Sequence, residues 1–244
     1  MSMWKTVFDR LADDYDQIVQ ETDQANRFPF AGYDEVLNTV AEYIHNSSIE
    51  PTVKVLDLGI GTASLYRKLP PERIRLFGCD ISEKMIERAK LLVPYAELEV
   101  HDFGNGIPEK YRKQKFDFIV STYAFHHLDT KQFIGMIDHL LPQLEPLGRI
   151  LIGDVLFQDE IERDRCHERY PEDWDLDEHY HLFSELIELL DGRLAISFLK
   201  ISFCAGLLVI DNYHETALQR EDNLVKYKSN TTKWKSNRAG KSSE

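Results

Sequence analysis

The sequence predicts an α/β fold: a mostly parallel sheet of seven strands, ending in an antiparallel hairpin at its C-terminal edge. Three observations support this. Short apolar runs with β-branched residues alternate with amphipathic helical patterns along the chain. The run at residues 53–58 breaks at once into Gly59-Ile60-Gly61, and a helical pattern follows, which is the strand, glycine turn and helix order of a nucleotide-binding unit. The last two strand-like runs, residues 194–203 and 207–210, have no helix between them and so pair antiparallel at an edge.

The elements follow in order. Residues 3–20 carry Trp4, Val7, Phe8, Leu11, Tyr15 and Ile18 on one helical face, and Asp9, Asp13, Asp14 and Asp16 fill the rest. That segment fits either a helix that packs ahead of the core or one that covers a site. An aromatic loop at residues 28–33 leads to a helix over residues 33–45, and Pro51 precedes the first strand. After the glycines, Ala63, Leu65, Tyr66 and Leu69 keep a helical pattern until Pro70-Pro71 stops it. The second strand, residues 74–79, ends at Asp80, and Ser82 is placed to N-cap a helix through Met85, Ile86, Ala89 and Leu92. A third strand at residues 98–101 ends at Asp102. A fourth, residues 116–121, leads into Thr122, Tyr123 and a loop with His126-His127. A helix over residues 130–144, a turn at Pro146 and Gly148, and a fifth strand at residues 149–155 continue the alternation. A helix carrying Phe183, Leu186, Ile187 and Leu190 is separated by Gly192 from the final pair of strands, whose turn is expected at Ala205-Gly206.

Ligands of open α/β sheets sit outside the carboxyl ends of the strands. There the chain places Asp57, Asp80, Asp102 and Thr122. A dinucleotide fingerprint calls for a third glycine where Ser64 stands. Asp57, two residues before Gly59, repels a pyrophosphate and suits a cation. S-adenosylmethionine (SAM) has a sulfonium and an ammonium and no phosphate. Asp80 is spaced to reach ribose hydroxyls and, as an exposed strand end, is expected to be dispensable for folding. SAM is therefore the cofactor expected. A nicotinamide-dependent oxidoreductase is the rival that Ser64 and Asp57 disfavour, and a non-catalytic SAM-binding protein is a third alternative.

Residues 55–63, with Asp57, Gly59 and Gly61, resemble motif I of the class I SAM-dependent methyltransferases; Ala63 stands where that family often has glycine. Gly78-Cys79-Asp80-Ile81-Ser82 is similar to the second-strand motif, and His101-Asp102-Phe103 to the third, which in the family brackets adenine. Residues 120–128 are similar to the fourth-strand motif, and residues 8–16 resemble the opening segment of many small-molecule methyltransferases. The Ser121-to-Leu128 run and residues 174–180 most resemble the YrrT-like methyltransferases of bacteria, and the likeness spans most of residues 4–211. It implies a Rossmann-like methyltransferase fold and methyl transfer from SAM. It implies cofactor contacts from Asp57, Gly59, Gly61, Thr62, Asp80, Ile81, Met85, Asp102, Phe103 and Thr122, with Tyr15 facing the site from the N-terminal segment. Where the acceptor must lose a proton, the chain offers His126, His127 and Tyr123 as catalytic candidates; the histidines either act as a base or only shape the pocket.

On this basis residues 1–50 form an N-terminal helical cap segment, residues 51–211 a SAM-binding domain, and residues 212–244 a C-terminal tail expected to be disordered at its Lys-, Asn- and Ser-rich end. The net charge of −13 argues against nucleic acid as a partner, and no apolar stretch approaches a membrane span. No signal peptide is visible, and Cys79, Cys166 and Cys204 show no paired or metal spacing, which fits free thiols in a cytoplasmic protein. The acidic insertion at residues 158–181 holds His167, His179 and His181 at no recognised metal spacing, so no metal is expected. With Tyr170, Trp174 and Tyr180 it is expected to form a mobile lid over a small-molecule acceptor, or else a structural insertion. A homodimer is left open.

Overall fold

The computed structural model describes residues 3–47, 49, 51–190 and 194–212, with Met3 by its backbone alone. The expectations for Gly192 and for residues 213–244 lie outside the described residues. Seven strands form one sheet: β1 Val53–Leu58, β2 Ile74–Asp80, β3 Glu97–Val100, β4 Phe116–Thr122, β5 Leu144–Val155, β6 Ala195–Lys200 and β7 Ala205–Asp211. Their order is β3-β2-β1-β4-β5-β7-β6. β1 to β5 are parallel to their neighbours. β7 runs antiparallel between β5 and β6, as the sequence predicts for the C-terminal edge.

Apolar side chains leave the central strands on both faces, because parallel strands are covered on both sides. In β1, Val53 and Val55 pack into one layer, with Leu37, Val40 and Ile44 of α3 (Tyr33–His45) and Ile86 and Ala89 of α4 (Glu83–Leu92). Leu56 and Leu58 point to the opposite layer, with Phe133 and Ile137 of α5 (Thr130–Leu140). Fully burying such a side chain contributes about 1.5–3 kcal/mol. Two glycines after β1 turn the chain across the carboxyl end of the sheet, and the helical pattern beyond them closes as a short 3₁₀ helix, Ser64–Lys68.

Several boundaries differ from expectation. The N-terminal segment is two helices, α1 Met3–Leu11 and α2 Tyr15–Gln24, rather than one. The break re-aims the chain so that α1 packs on α4 and α2 on α3, and it leaves Leu11 and Ile18 exposed. Pro142 follows α5 by two residues, and β5 begins at Leu144. The final turn lies at residues 201–204, where the Ser202 hydroxyl accepts the amides of Cys204 (3.2 Å) and Ala205 (3.0 Å). Gly206 is a ladder residue instead, paired with Lys200. Its hydrogen side chain is required by packing, since a Cβ would lie 2.1 Å from the Phe198 ring.

Candidate active site

A cavity of about 230 Å³ opens at the carboxyl ends of β1, β2 and β4. The backbone from Gly59 to Thr62 lines it, together with Asp80, Ile81, Met85, Asp102, Phe103 and Thr122. The two turn glycines do different things. At Gly59 (φ +76°) a Cβ would lie 2.5 Å from the Cβ of Ala124, so this glycine serves packing. At Gly61 (φ +54°) a Cβ would meet nothing within 4 Å.

Asp80 is 7 % exposed, which corrects the expectation of an open strand end. Its Oδ2 accepts the Gly61 amide at 2.9 Å and its Oδ1 the Ser82 amide at 2.8 Å. Burial pushes its carboxyl up to about 6, against the pull of those amides. Asp102 accepts the Gly104 amide at 2.9 Å, which shapes the turn carrying Phe103. The Phe103 ring stacks on Phe125 with centroids 5.5 Å apart. Asp57 does not line the cavity, contrary to expectation. The strand alternation turns it toward the layer of Val53 and Val55, where it is buried, its Oδ1 lacks a hydrogen-bond partner, and burial pushes it up to about 7. Among the described residues that line the cavity there is no lysine or arginine.

Trp4 and Phe8 of α1, Tyr15 of α2 and Tyr33 at the start of α3 line the same cavity. Two of the N-terminal acids fasten these helices to the site. Ser82 Oγ donates to Asp9 Oδ1 at 2.6 Å, and Thr62 Oγ1 donates to Asp16 Oδ1 at 2.6 Å. Arg67 adds a second bond to Asp16 at 3.0 Å. These partners are 73, 46 and 51 residues apart, so no local pattern announces them.

Tyr123 lines the cavity from a left-handed backbone conformation (φ +53°), against Tyr33 at 4.9 Å. Its buried hydroxyl has no partner, and burial raises it well above the ordinary tyrosine value, so it stays protonated. The two histidines separate. His127 lines the cavity, packed by Trp4 at 4.3 Å and Phe8 at 5.4 Å. Neither of its ring nitrogens has a partner, and burial, reinforced by His126, pushes it down to about 2. His126 is buried and does not line the cavity, a correction to its assignment as a pocket residue. Its Nδ1 is 2.6 Å from Asp154 Oδ1 and its Nε2 is 3.5 Å from Glu178 Oε1. Burial alone would lower its pKa; Asp154, with Glu178 behind it, reverses this and raises it to about 9. Asp154, which also accepts the amides of Phe125 (2.9 Å) and His126 (3.2 Å), was missed in the sequence. The available signal was a lone acid inside the apolar run from Ile150 to Phe157.

No residue of 158–181 lines the cavity. The insertion's aromatics are already packed: Trp174 stacks on Phe28 at 5.2 Å and meets Tyr180 at 4.3 Å. Its end is docked on the histidine loop, with the His179 amide donating to the His126 carbonyl at 2.7 Å and His181 Nε2 2.9 Å from the Leu128 carbonyl.

Residues 55–148 match the family model of a methyltransferase domain. The chain is 30 % identical over 210 residues to the uncharacterized methyltransferase YrrT of Halobacillus halophilus, covering 83 % of this chain and 94 % of that one. A further methyltransferase, from Anoxybacillus flavithermus, is 34 % identical over 151 residues, 62 % of this chain and 66 % of its own. Among solved structures, the fold is similar to magnesium protoporphyrin IX methyltransferase from Synechocystis with bound S-adenosylhomocysteine (TM-score 0.59, 18 % identity, 75 % and 84 % covered). It is likewise similar to the DhpI–S-adenosylhomocysteine complex (TM-score 0.61, 18 % identity, 84 % and 93 % covered).

Proposed function

The chain belongs to the YrrT-like family of bacterial methyltransferases, and on that premise we propose that it transfers the methyl group of SAM to a small-molecule acceptor. The nicotinamide-dependent oxidoreductase alternative falls with the family relation. One observation carries the choice of cofactor: the cavity presents the carboxylates of Asp80 and Asp102 and no lysine or arginine, which suits a sulfonium and disfavours a pyrophosphate. The Gly61 amide that a phosphate would need is held by Asp80.

The residues present fit SAM. Each Asp80 oxygen accepts one amide and keeps a second lone pair for a ribose hydroxyl. Phe103 offers an apolar ring beside Asp102 for an adenine, and Ile81 and Met85 add apolar lining to the same cavity. The open space above Gly61 leaves room for the cofactor's chain. Thr62 and Thr122 line the cavity from either side of the turn, and Tyr15 lines it from the cap of residues 1–50. Asp57 is outside this lining, buried near the end of β1.

Bound SAM supplies a methyl carbon on a sulfonium, whose displacement leaves a neutral thioether. Alignment of donor and acceptor then contributes much of the acceleration. This chain's part is to hold the two in line and exclude water. Trp4, Phe8 and Tyr33 form the apolar enclosure, and protonated Tyr123 can donate a hydrogen bond. His127 is too weak a base to keep a proton at neutral pH, so it faces the acceptor as a neutral imidazole. Buried free cysteines at positions 79, 166 and 204 support a reducing, cytoplasmic setting, and no described helix is long and apolar enough to cross a membrane. The net charge of −13 supports a partner other than nucleic acid.

Calorimetric titration with SAM, S-adenosylhomocysteine and NAD tests the cofactor, with binding expected for the first two only. Turnover of labelled SAM with a metabolite mixture tests the reaction. SAM binding with no transfer to any acceptor would favour the non-catalytic SAM-binding alternative.

A further inference from the structure

Beside the cavity, His126, His127 and Glu178 bring one ligand atom each to within 4.8 Å of one another. We propose that this corner binds a divalent first-row transition metal ion, with two imidazoles and one carboxylate as ligands and its open positions toward the acceptor end of the cavity.

Four observations carry the assignment. The His126 Nε2 to Glu178 Oε1 separation is 3.5 Å, close to the spacing of two ligands that each bind one ion at about 2.0–2.2 Å. His126 is oriented for ligation, since its other nitrogen lies 2.6 Å from the Asp154 carboxylate, the outer support that metal-binding histidines almost always have. His127 is an imidazole with both nitrogens buried and unpartnered. A proton shared between His126 and the carboxylates would leave both nitrogens unpartnered, whereas an ion takes up one of them. Finally, Asp154 and Glu178 bring two negative charges to a pair of histidines, and a dication neutralises them. The hydrogen bond donated by the His179 amide to the His126 carbonyl fixes the backbone beside Glu178, so the third ligand comes from an ordered segment. Two nitrogen donors favour zinc, iron(II), manganese, cobalt or nickel over magnesium or calcium.

The metal site deepens the methyl-transfer proposal and depends on it only for the ion's role. His127 lines the cavity, so an ion on it faces the acceptor. The acceptor class is a hydroxyl or thiol compound. Its O–H or S–H bond ionises on the metal and the proton passes to solvent. The resulting anion attacks the methyl carbon as the carbon–sulfur bond breaks, and that bond's electron pair returns to the sulfonium sulfur, leaving a neutral thioether.

Untagged full-length protein, stripped with chelator and without SAM, is titrated with cobalt(II) and dialysed against zinc(II). The expected result is one ion per chain with visible ligand-field bands. Glu178→Gln and His127→Ala should weaken binding at least about tenfold, while His179→Ala should bind as the wild type does. Circular dichroism checks each fold, and Glu178→Gln is the variant of least perturbation because its side chain is partly exposed. No stoichiometric binding, or equal binding by wild type and folded Glu178→Gln, would overturn the site and leave a proton bridging His126, Asp154 and Glu178. Because the readout contains no SAM, its failure leaves the methyl-transfer proposal standing. Failure of SAM to bind leaves the metal result standing in turn.

Discussion

Asp80 Oδ2 accepts the amide hydrogen of Gly61 at 2.9 Å, so the acid at the end of β2 clamps the turn that follows β1. The same carboxylate reaches Ser82 with its other oxygen. It is therefore both a brace and a candidate ligand for ribose.

Asp80→Ala is expected to weaken SAM binding about 10- to 150-fold, from the loss of a charged hydrogen-bond acceptor worth roughly 1.5–3 kcal/mol. It should also lower stability, because the Gly61 and Ser82 amides lose their partner. Asp80→Asn keeps one acceptor oxygen and should fall between. Calorimetry with circular dichroism measures both, and a folded Asp80→Ala protein with wild-type affinity would remove Asp80 from the site.

The two turn glycines should respond differently to alanine. Gly59→Ala forces a Cβ against Ala124 and is expected to cost about 1–3 kcal/mol of stability. Gly61→Ala has room for its Cβ and pays mainly the left-handed backbone, about 1 kcal/mol, but it places a methyl group where the cofactor would pass. Its larger effect should be on SAM affinity. Equal SAM affinity in Gly61→Ala and wild type would show that the cofactor does not cross that turn.

Asp57 should make stability depend on pH. Its folded-state carboxyl is raised to about 7, well above the unfolded value of about 3.9. The folded chain thus holds a proton that the unfolded chain releases, so Asp57 costs stability as pH rises from about 4 through 7, and the full cost is present above that. Asp57→Asn removes the ionisation and should stabilise the protein at pH 8 by on the order of 2–4 kcal/mol, about 5–10 °C in melting temperature. The gain should shrink toward pH 5. A gain that does not vary with pH would contradict the assignment.

The histidines should separate in the same way. His127→Ala is expected to lower turnover about 10- to 100-fold through misplacement of the acceptor, with SAM affinity nearly intact. His126→Ala leaves Asp154 and Glu178 facing each other without a cation and should cost about 3–5 kcal/mol of stability. Steady-state kinetics and thermal unfolding of the two single variants read this out; matching profiles for both would refute the division of roles.

The layered α/β class, the glycine turn, the reversed last strand and the carboxyl-end positions of Asp80 and Asp102 were legible in the amino-acid sequence. Hydrophobic periodicity and turn chemistry are local, and they repeat within a few residues. Which of two neighbouring residues does what depends on contacts between distant segments. His126 and His127 are adjacent in the chain, yet one is held by Asp154, 28 residues away, and the other faces the cavity. Gly59 and Gly61 look alike until Ala124 fills the space beside one of them. Gly206 signals a turn in the sequence but makes room for Phe198 in the sheet. Asp9 and Asp16 look like surface acids until folding brings Ser82 and Thr62 within hydrogen-bond reach. In each case the partner is set by packing between elements distant in sequence, and a side chain's charge, strain or role follows from that partner.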